Sequence, residues 1–167
     1  SEKRAPMMMR KIALISDHAS PLAELGSVDA GGQNVYVAQI AAELGRRGHE
    51  VDVYTRRDAQ HLPQVVHWRS NVRVVHVPAG PACFVEKERL LPWMGEFARW
   101  MERRCRSEAL RYDIVHGNFF MSGLAAARLK RRLGLPFAMT FHALGLVRRR
   151  HQGASDGFDD SRFDIEA

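Results

Sequence analysis

Apolar and polar positions along this chain switch between two periods. "KIALIS", residues 11–16, is a short apolar run of the kind that a buried parallel strand shows. Across residues 32–47, Val35, Val37, Ala38, Ile40, Ala41 and Leu44 recur at helical spacing, and Gly48 supplies a stop. "HEVDVYTR" and "NVRVVHVP" then alternate as strands do. Residues 86–111 predict a long helix that Pro92 kinks or divides, because proline lacks the N–H a helix interior needs. "YDIVHG" reads as a strand, "MSGLAAARLKRRLG" as a helix ending at Gly134, and "PFAMTFH" as a last strand. Strands alternating with helices predict an α/β domain whose mostly parallel sheet is covered on both faces. No internal repeat is present.

Composition narrows this picture. A chain of 167 residues, 46% of them hydrophobic, suffices for one domain with a substantial core. Residues 1–8 read as a leader or tag remnant, residues 9–150 as the domain, and residues 151–167 as an acidic, loop-like tail rich in Gly, Asp and Ser. The sequence has no run of eighteen apolar residues, and its charged start lacks the apolar segment of a secretory signal. A soluble, cytoplasmic protein without a transmembrane segment is the expectation. Cys83 and Cys105 fit no metal-binding spacing, so reduced thiols and no metal site are expected. The net charge of +6 raises nucleic acid as a partner. Its basic residues fall in separate helix ends and faces, without the interleaved aromatics of a single-strand platform, which argues against that partner.

Candidate chemistry concentrates at the loop between the first strand and the first helix. In an open parallel sheet, ligands collect at the carboxyl ends of the strands. Gly31 and Gly32 lie there; lacking Cβ atoms, they can adopt positive φ and let the backbone approach a ligand, while the next helix turns free N–H groups toward it. That arrangement suits a phosphate or a sugar hydroxyl, with an ordinary turn as the other reading. "DAGGQN" contains no G-x-G-x-x-G, and there is no P-loop, which counts against a dinucleotide cofactor bound by the usual route. His142 ends the last strand, where it serves either structure or function. Arg148, Arg149 and Arg150 follow closely, and arginine suits bidentate phosphate contact. A carboxylate pair of the glycosidase type is not evident.

"SPLAELGSVDAGGQNVYV" followed by "LGRRGHEVDVYTR" resembles the amino-terminal half of retaining family 4 glycosyltransferases, the sucrose-phosphate synthase, sucrose synthase and mycothiol glycosyltransferase group. "VRVVHVPAGP", "EKERLLPWMGEF", "YDIVHGNFFMSGLAA" and "PFAMTFHALG" continue the resemblance in family order. It implies a Rossmann-like, three-layer domain forming the amino-terminal half of a GT-B fold. It also implies that Gly31, Gly32 and Gln33 face the donor's diphosphate and sugar, that His142 contacts the donor sugar near the reacting centre, and that Lys87 contacts an acceptor phosphate. Asn34, His116, Asn118 and Arg148 to Arg150 are implied on the acceptor side. Where relatives commonly carry a second histidine and a tyrosine, "HGNFF" has Asn118 and Phe119, which bears on the acceptor's identity.

The intact enzyme implied by this resemblance moves a glycosyl group from a nucleotide diphosphate sugar to a hydroxyl, that of a sugar or sugar phosphate, without cofactor or metal. The donor-binding carboxyl-terminal domain is not represented in this sequence, so the chain alone is expected to be inactive. Two other classes share the architecture: a sugar-nucleotide epimerase, and a stand-alone binding module. An acceptor-dependent product separates the first from a transferase.

Overall fold

A computed structural model describes residues 8–23 and 31–142. Six strands form one sheet: β1 (Lys11–Ile15), β2 (Glu50–Arg56), β3 (Val65–Arg69), β4 (Val72–Val77), β5 (Ile114–Asn118) and β6 (Phe137–Thr140). Their order is β3-β4-β2-β1-β5-β6, with β3 antiparallel to β4 and every other pairing parallel. Helix α1 (Gly32–Arg46) covers one face, and α2 (Met94–Ser107) and α3 (Phe120–Leu133) cover the other. This is the expected Rossmann-like, three-layer α/β arrangement.

Side-chain alternation along the strands builds both cores. On β1, Ile12 and Leu14 pack with Val37 and Ala41 of α1, while Ala13 and Ile15 pack with Phe97, Met101 and Leu129 beneath α2 and α3. Helix α1 buries Asn34, Val37, Ala41 and Gly45, a stripe at helical spacing. Gly45 is a contact point rather than a turn: a Cβ there would lie 2.3 Å from the Ser70 carbonyl oxygen and 2.6 Å from Val72 Cγ2. Gly48 (φ +91°) and Gly134 (φ +67°) follow α1 and α3 in the left-handed region, as helix stops do.

The structure differs from the sequence expectation in two elements. Residues 86–111 are not one kinked helix. Lys87–Arg89 and Leu91–Trp93 are single 3-10 turns, with Pro92 tolerated in the first turn of the second, and the α-helix starts only at Met94 and stops at Ser107. Strand β3 was not expected at all. It is a half-exposed edge strand joined to β4 by a two-residue Ser70–Asn71 turn, with Asn71 at φ +60° and a register shift between His67 and Arg69.

At the amino-terminal side of the sheet, Asp52 on β2 is buried. Arg73 Nε and Nη2 donate to its two carboxylate oxygens at 2.7 and 2.8 Å, and the Tyr112 hydroxyl donates to Oδ2 at 2.5 Å. A buried carboxylate with bidentate and hydroxyl partners locks β2 to β4 and to the segment before β5. Among the described residues no helix is long and apolar enough to cross a membrane.

Candidate active site

Helix α1 follows β1 on one face and α3 follows β5 on the other, so the crossover direction reverses between β1 and β5. At such a switch point the loops diverge and leave a crevice at the carboxyl ends of the strands. A cavity of about 660 Å³ lies there. Asp17 and His18 line it from the end of β1, Gly31 to Asn34 from the start of α1, and Thr55, Arg56 and Asp58 from the end of β2. The segment from Phe84 to Leu90 closes one side, and Phe119 and His142 complete the wall after β5 and β6.

The glycine pair sits in this wall, but the expected positive φ is absent. Gly31 has φ −103° and ψ −178°, an extended backbone open to any residue, and Gly32 begins α1 outside the left-handed region. A Cβ added to either would meet nothing within 4 Å. Neither backbone strain nor packing among the described residues therefore demands glycine. What glycine leaves is open space at a helix amino end with no acidic residue in its first turn. The first N–H groups of α1 and the positive end of its dipole face that space.

Asn34 holds the helix start in place. Its Oδ1 accepts the Gly31 N–H at 3.0 Å, the return half of a capping box, and its Nδ2 donates to the Ser20 carbonyl at 2.9 Å. Although Asn34 lines the cavity, its amide is occupied within the chain, so its role is to set the loop. Gln33 lines the cavity, and its Nε2 donates to Ser16 Oγ at 3.2 Å and to the Asn118 main-chain carbonyl at 3.4 Å.

Asn118 and His116, expected on the acceptor side, do not line the cavity. Asn118 is fully buried: Nδ2 donates to the Ile15 carbonyl at 3.2 Å, and Oδ1 faces His142 Nε2 at 3.3 Å. A carbonyl can only accept, so the amide orientation is fixed. His142 Nε2 must then carry the hydrogen, leaving Nδ1 as an acceptor. Tyr36 packs edge-on against the ring with centroids 4.8 Å apart. Burial, with a smaller contribution from His18, lowers the His142 pKa, which favours the uncharged ring. His116 is tied to β6 through Nε2 and Thr140 Oγ1 at 2.8 Å, and burial lowers its pKa also. Asn118 and His116 therefore lie behind the wall, whereas His142 is part of it.

Lys87 lies on the cavity wall, half-exposed, with Nζ 4.0 Å from Glu88 Oε1. A pair this long and this solvated leaves the ammonium available. Arg148, Arg149 and Arg150 lie outside the described residues.

Several residues of the wall were not anticipated. The buried Arg56 donates from Nη1 to the Pro81 carbonyl at 2.6 Å and from Nη2 to the Cys83 carbonyl at 2.5 Å, anchoring the loop that presents Phe84 to Lys87. Phe119, at φ +79° and ψ +156°, occupies a backbone region nearly restricted to glycine, at a typical cost of about 1–3 kcal/mol. Its N–H donates to the Thr140 carbonyl at 2.9 Å, and its ring meets those of His18 and Phe120. Asp17, Asp58, Glu86 and Glu88 put carboxylates along a wall where none was expected. Asp17 and Asp58 follow β1 and β2 directly, which was the available signal, whereas Glu86 and Glu88 flank Lys87 at the first 3-10 turn, well beyond the end of β4. Among the described residues, no group of three or more His, Cys, Asp or Glu could hold a metal ion.

Comparison with known proteins identifies the architecture. Residues 31–163 match the family described as glycosyl transferase 4-like domain. The D-inositol 3-phosphate glycosyltransferase of Corynebacterium diphtheriae is 39% identical over 150 residues, covering 90% of this chain and 35% of that protein. D-inositol 3-phosphate glycosyltransferase 1 of Catenulispora acidiphila is 41% identical over 147 residues, covering 88% of this chain and 34% of the relative. Among solved structures, sucrose-phosphate synthase from Thermosynechococcus elongatus superposes with a TM-score of 0.86 at 29% identity, over 94% of this chain and 39% of its own. The chain thus spans about a third of the length of the curated relatives it matches. It belongs to the glycosyl transferase 4-like family and has the fold of the amino-terminal half of GT-B glycosyltransferases.

Proposed function

We propose that this chain is the acceptor-side domain of a retaining glycosyltransferase that moves a sugar from a nucleotide diphosphate sugar to a hydroxyl of a phosphorylated sugar or polyol. The observation that carries this reading is the bare start of α1, where two glycines leave cavity space that neither backbone strain nor packing explains. Anionic ligands are favoured at helix amino ends. In this reading Gly31 and Gly32 admit the donor diphosphate, and a second domain outside this sequence closes the opposite side of the cleft and holds the rest of the donor.

The names of the relatives support a phosphorylated acceptor, since they combine glycosyl transfer with D-inositol 3-phosphate and with sucrose phosphate. Lys87 supplies one charge for that phosphate, and Arg148 to Arg150 supply others. His142 offers Nδ1 to a donor-sugar hydroxyl, and Gln33 offers its amide oxygen. Asn118 fixes the His142 ring, Asn34 fixes the loop, and His116 ties β5 to β6. Catalysis rests on positioning and on N–H donors directed at the departing diphosphate, rather than on a glycosidase-like carboxylate pair.

The test is transfer by the full-length protein that carries this domain. It should be offered a panel of nucleotide diphosphate sugars with D-inositol 3-phosphate or fructose 6-phosphate. A new glycoside with acceptor-dependent release of the nucleoside diphosphate is expected. Conversion of the nucleotide sugar to its epimer without acceptor would replace the transferase reading.

A further inference from the structure

Positive charge gathers at the end of the sheet opposite the cavity. A helix that leads into the amino end of the next parallel strand stops at that end. Helix α1 ends at Arg46 before β2, α2 at Ser107 before β5 and α3 at Leu133 before β6, so all three stop there. Arg46 and Arg47 close α1, Arg103 and Arg106 lie near the end of α2, and Lys130, Arg131 and Arg132 fill the last turn of α3. Arg10 and Lys11 add two cations at the start of β1, and Arg111 adds one before β5. Clusters that are separate in the sequence become one surface because α2 and α3 pack side by side. Arg106 of α2 and Arg128 and Arg132 of α3 converge on Glu102, at 3.2, 3.6 and 3.2 Å.

Carboxylates at this end are outnumbered. Glu102 answers three arginines, and Glu43 answers both Arg46 and Arg47. Lys11 meets Glu50 at 3.5 Å and Arg10 meets Asp113 at 3.8 Å, long and solvated pairs that leave both cations attractive to an outside anion. Arg103, Arg111 and Arg131 are exposed and have no ion-pair partner among the described residues. The helix dipoles account for cations in the last turns, but not for those of β1 or for Arg111. At the cavity end, by contrast, Asp17, Asp58, Glu86 and Glu88 stand on the wall, so charge is separated along the strand direction. Apolar groups accompany the cations: Met8 and Met9, 72% and 61% exposed, come immediately before Arg10.

We propose that this end of the sheet is a docking surface for a bilayer of anionic phospholipid. A plane of negatively charged headgroups engages many Lys and Arg side chains at once, each strengthening binding about fivefold. The boundary between headgroups and acyl chains also accepts exposed apolar side chains, which gives Met8 and Met9 a place. Nucleic acid fits the surface less well. Its bases call for exposed aromatic rings, and those of this chain, Phe84 and Phe141, lie at the cavity end. With the basic end on a membrane, the cavity at the carboxyl ends of the strands faces away from it and stays open to soluble ligands. The docking surface is independent of the reaction that the cavity serves.

Sedimentation of the 167-residue chain with lipid vesicles tests the surface. Vesicles of equal parts phosphatidylglycerol and phosphatidylcholine should retain the chain at about 0.1 M salt and release it at about 1 M, where the Debye length falls to about 3 Å. Vesicles of phosphatidylcholine alone should not bind it. Arg103→Gln combined with Arg131→Gln should weaken binding at least about tenfold. Both side chains are exposed and unpaired among the described residues, so the melting temperature should not change. Arg89→Glu removes the same net charge beside the cavity and should weaken binding less than about threefold. Met8→Ser combined with Met9→Ser should weaken it at least about threefold with no change in charge. Equal losses from Arg89→Glu and from the Arg103 and Arg131 pair would reduce the effect to net charge and overturn the docking surface. Failure to bind anionic vesicles would overturn it as well. So would tighter binding of a single-stranded oligonucleotide that the methionine replacements leave unchanged, which would assign the surface to nucleic acid. Binding is read without turnover, so none of these results bears on glycosyl transfer, and an absence of transfer leaves the docking surface standing.

Discussion

Replacing Gly32 by alanine separates a glycine kept for the fold from one kept for a ligand. Position 32 opens α1, has no positive φ, and a Cβ there meets nothing within 4 Å. Alanine at a compatible site restricts the unfolded chain, which stabilises a protein by about 0.4–1 kcal/mol. For a domain of this size that corresponds to a rise in Tm of about 1–4 °C. Gly31→Ala should lie nearer zero, because Gly31 is the N-cap and alanine is a poorer cap than glycine by an amount that offsets the entropy gain. The added methyl nevertheless occupies cavity space at the bare helix end, so kcat/KM for the nucleotide sugar in the full-length protein should fall at least about tenfold, or about 1.4 kcal/mol. Differential scanning fluorimetry on the chain and steady-state kinetics on the full-length protein read the two quantities. A Gly32→Ala variant that melts several degrees lower would show that the fold needs the glycine. One with normal kinetics would show that no ligand approaches it.

Other perturbations address the remaining parts of the site. Arg56→Met removes two charged hydrogen bonds to the carbonyls of Pro81 and Cys83, so chemical denaturation should show a loss of about 2–4 kcal/mol. Lys87→Ala should raise the KM for a phosphorylated acceptor while leaving the unphosphorylated one nearly unchanged; equal losses for both would remove the phosphate role. His116 and His142 have folded pKa values below the ordinary 6.5, so the unfolded chain binds more protons as pH falls below that value. Stability from both groups is therefore complete above pH 6.5 and declines as pH falls toward the folded values. Urea titrations at pH 7.5 and 5.5 should show the decline, and His116→Gln should reduce it. The 167-residue chain, incubated alone with nucleotide sugars and sugar phosphates, should give no glycoside, since half of the proposed cleft lies outside it.

The fold was legible wherever one period dominated. The apolar run of β1, the alternation of β2 and β4, and the stripe of α1 ending before Gly48 each state their element in the sequence. Strand β3 was hidden because an edge strand buries little, so its polar and apolar positions carry no clear pattern. The start of α2 was obscured by Pro92, which a 3-10 turn accepts as readily as a kink. At the site, Gly31, Gly32, Gln33, Lys87 and His142 line the cavity; the glycines and His142 were legible from their positions at a helix start and a strand end, whereas Gln33 and Lys87 were singled out by the resemblance alone. The error over φ arose because glycine signals conformational freedom and empty space equally, and only coordinates distinguish them. Asn118 was misplaced for a similar reason: a strand-end amide can face a ligand or a neighbouring strand. Asp17 and Ser122 are 105 residues apart, and nothing local in either announces their contact.

The most direct test of glycosyl transfer with retention is the anomeric configuration of the product. The full-length protein should be incubated with an α-linked nucleotide diphosphate sugar and a phosphorylated polyol, and the initial product followed by ¹H NMR. The proposed function predicts an α-linked glycoside formed together with one nucleoside diphosphate. A β-linked initial product would contradict retention, and nucleotide-sugar turnover that ignores the acceptor would contradict glycosyl transfer itself.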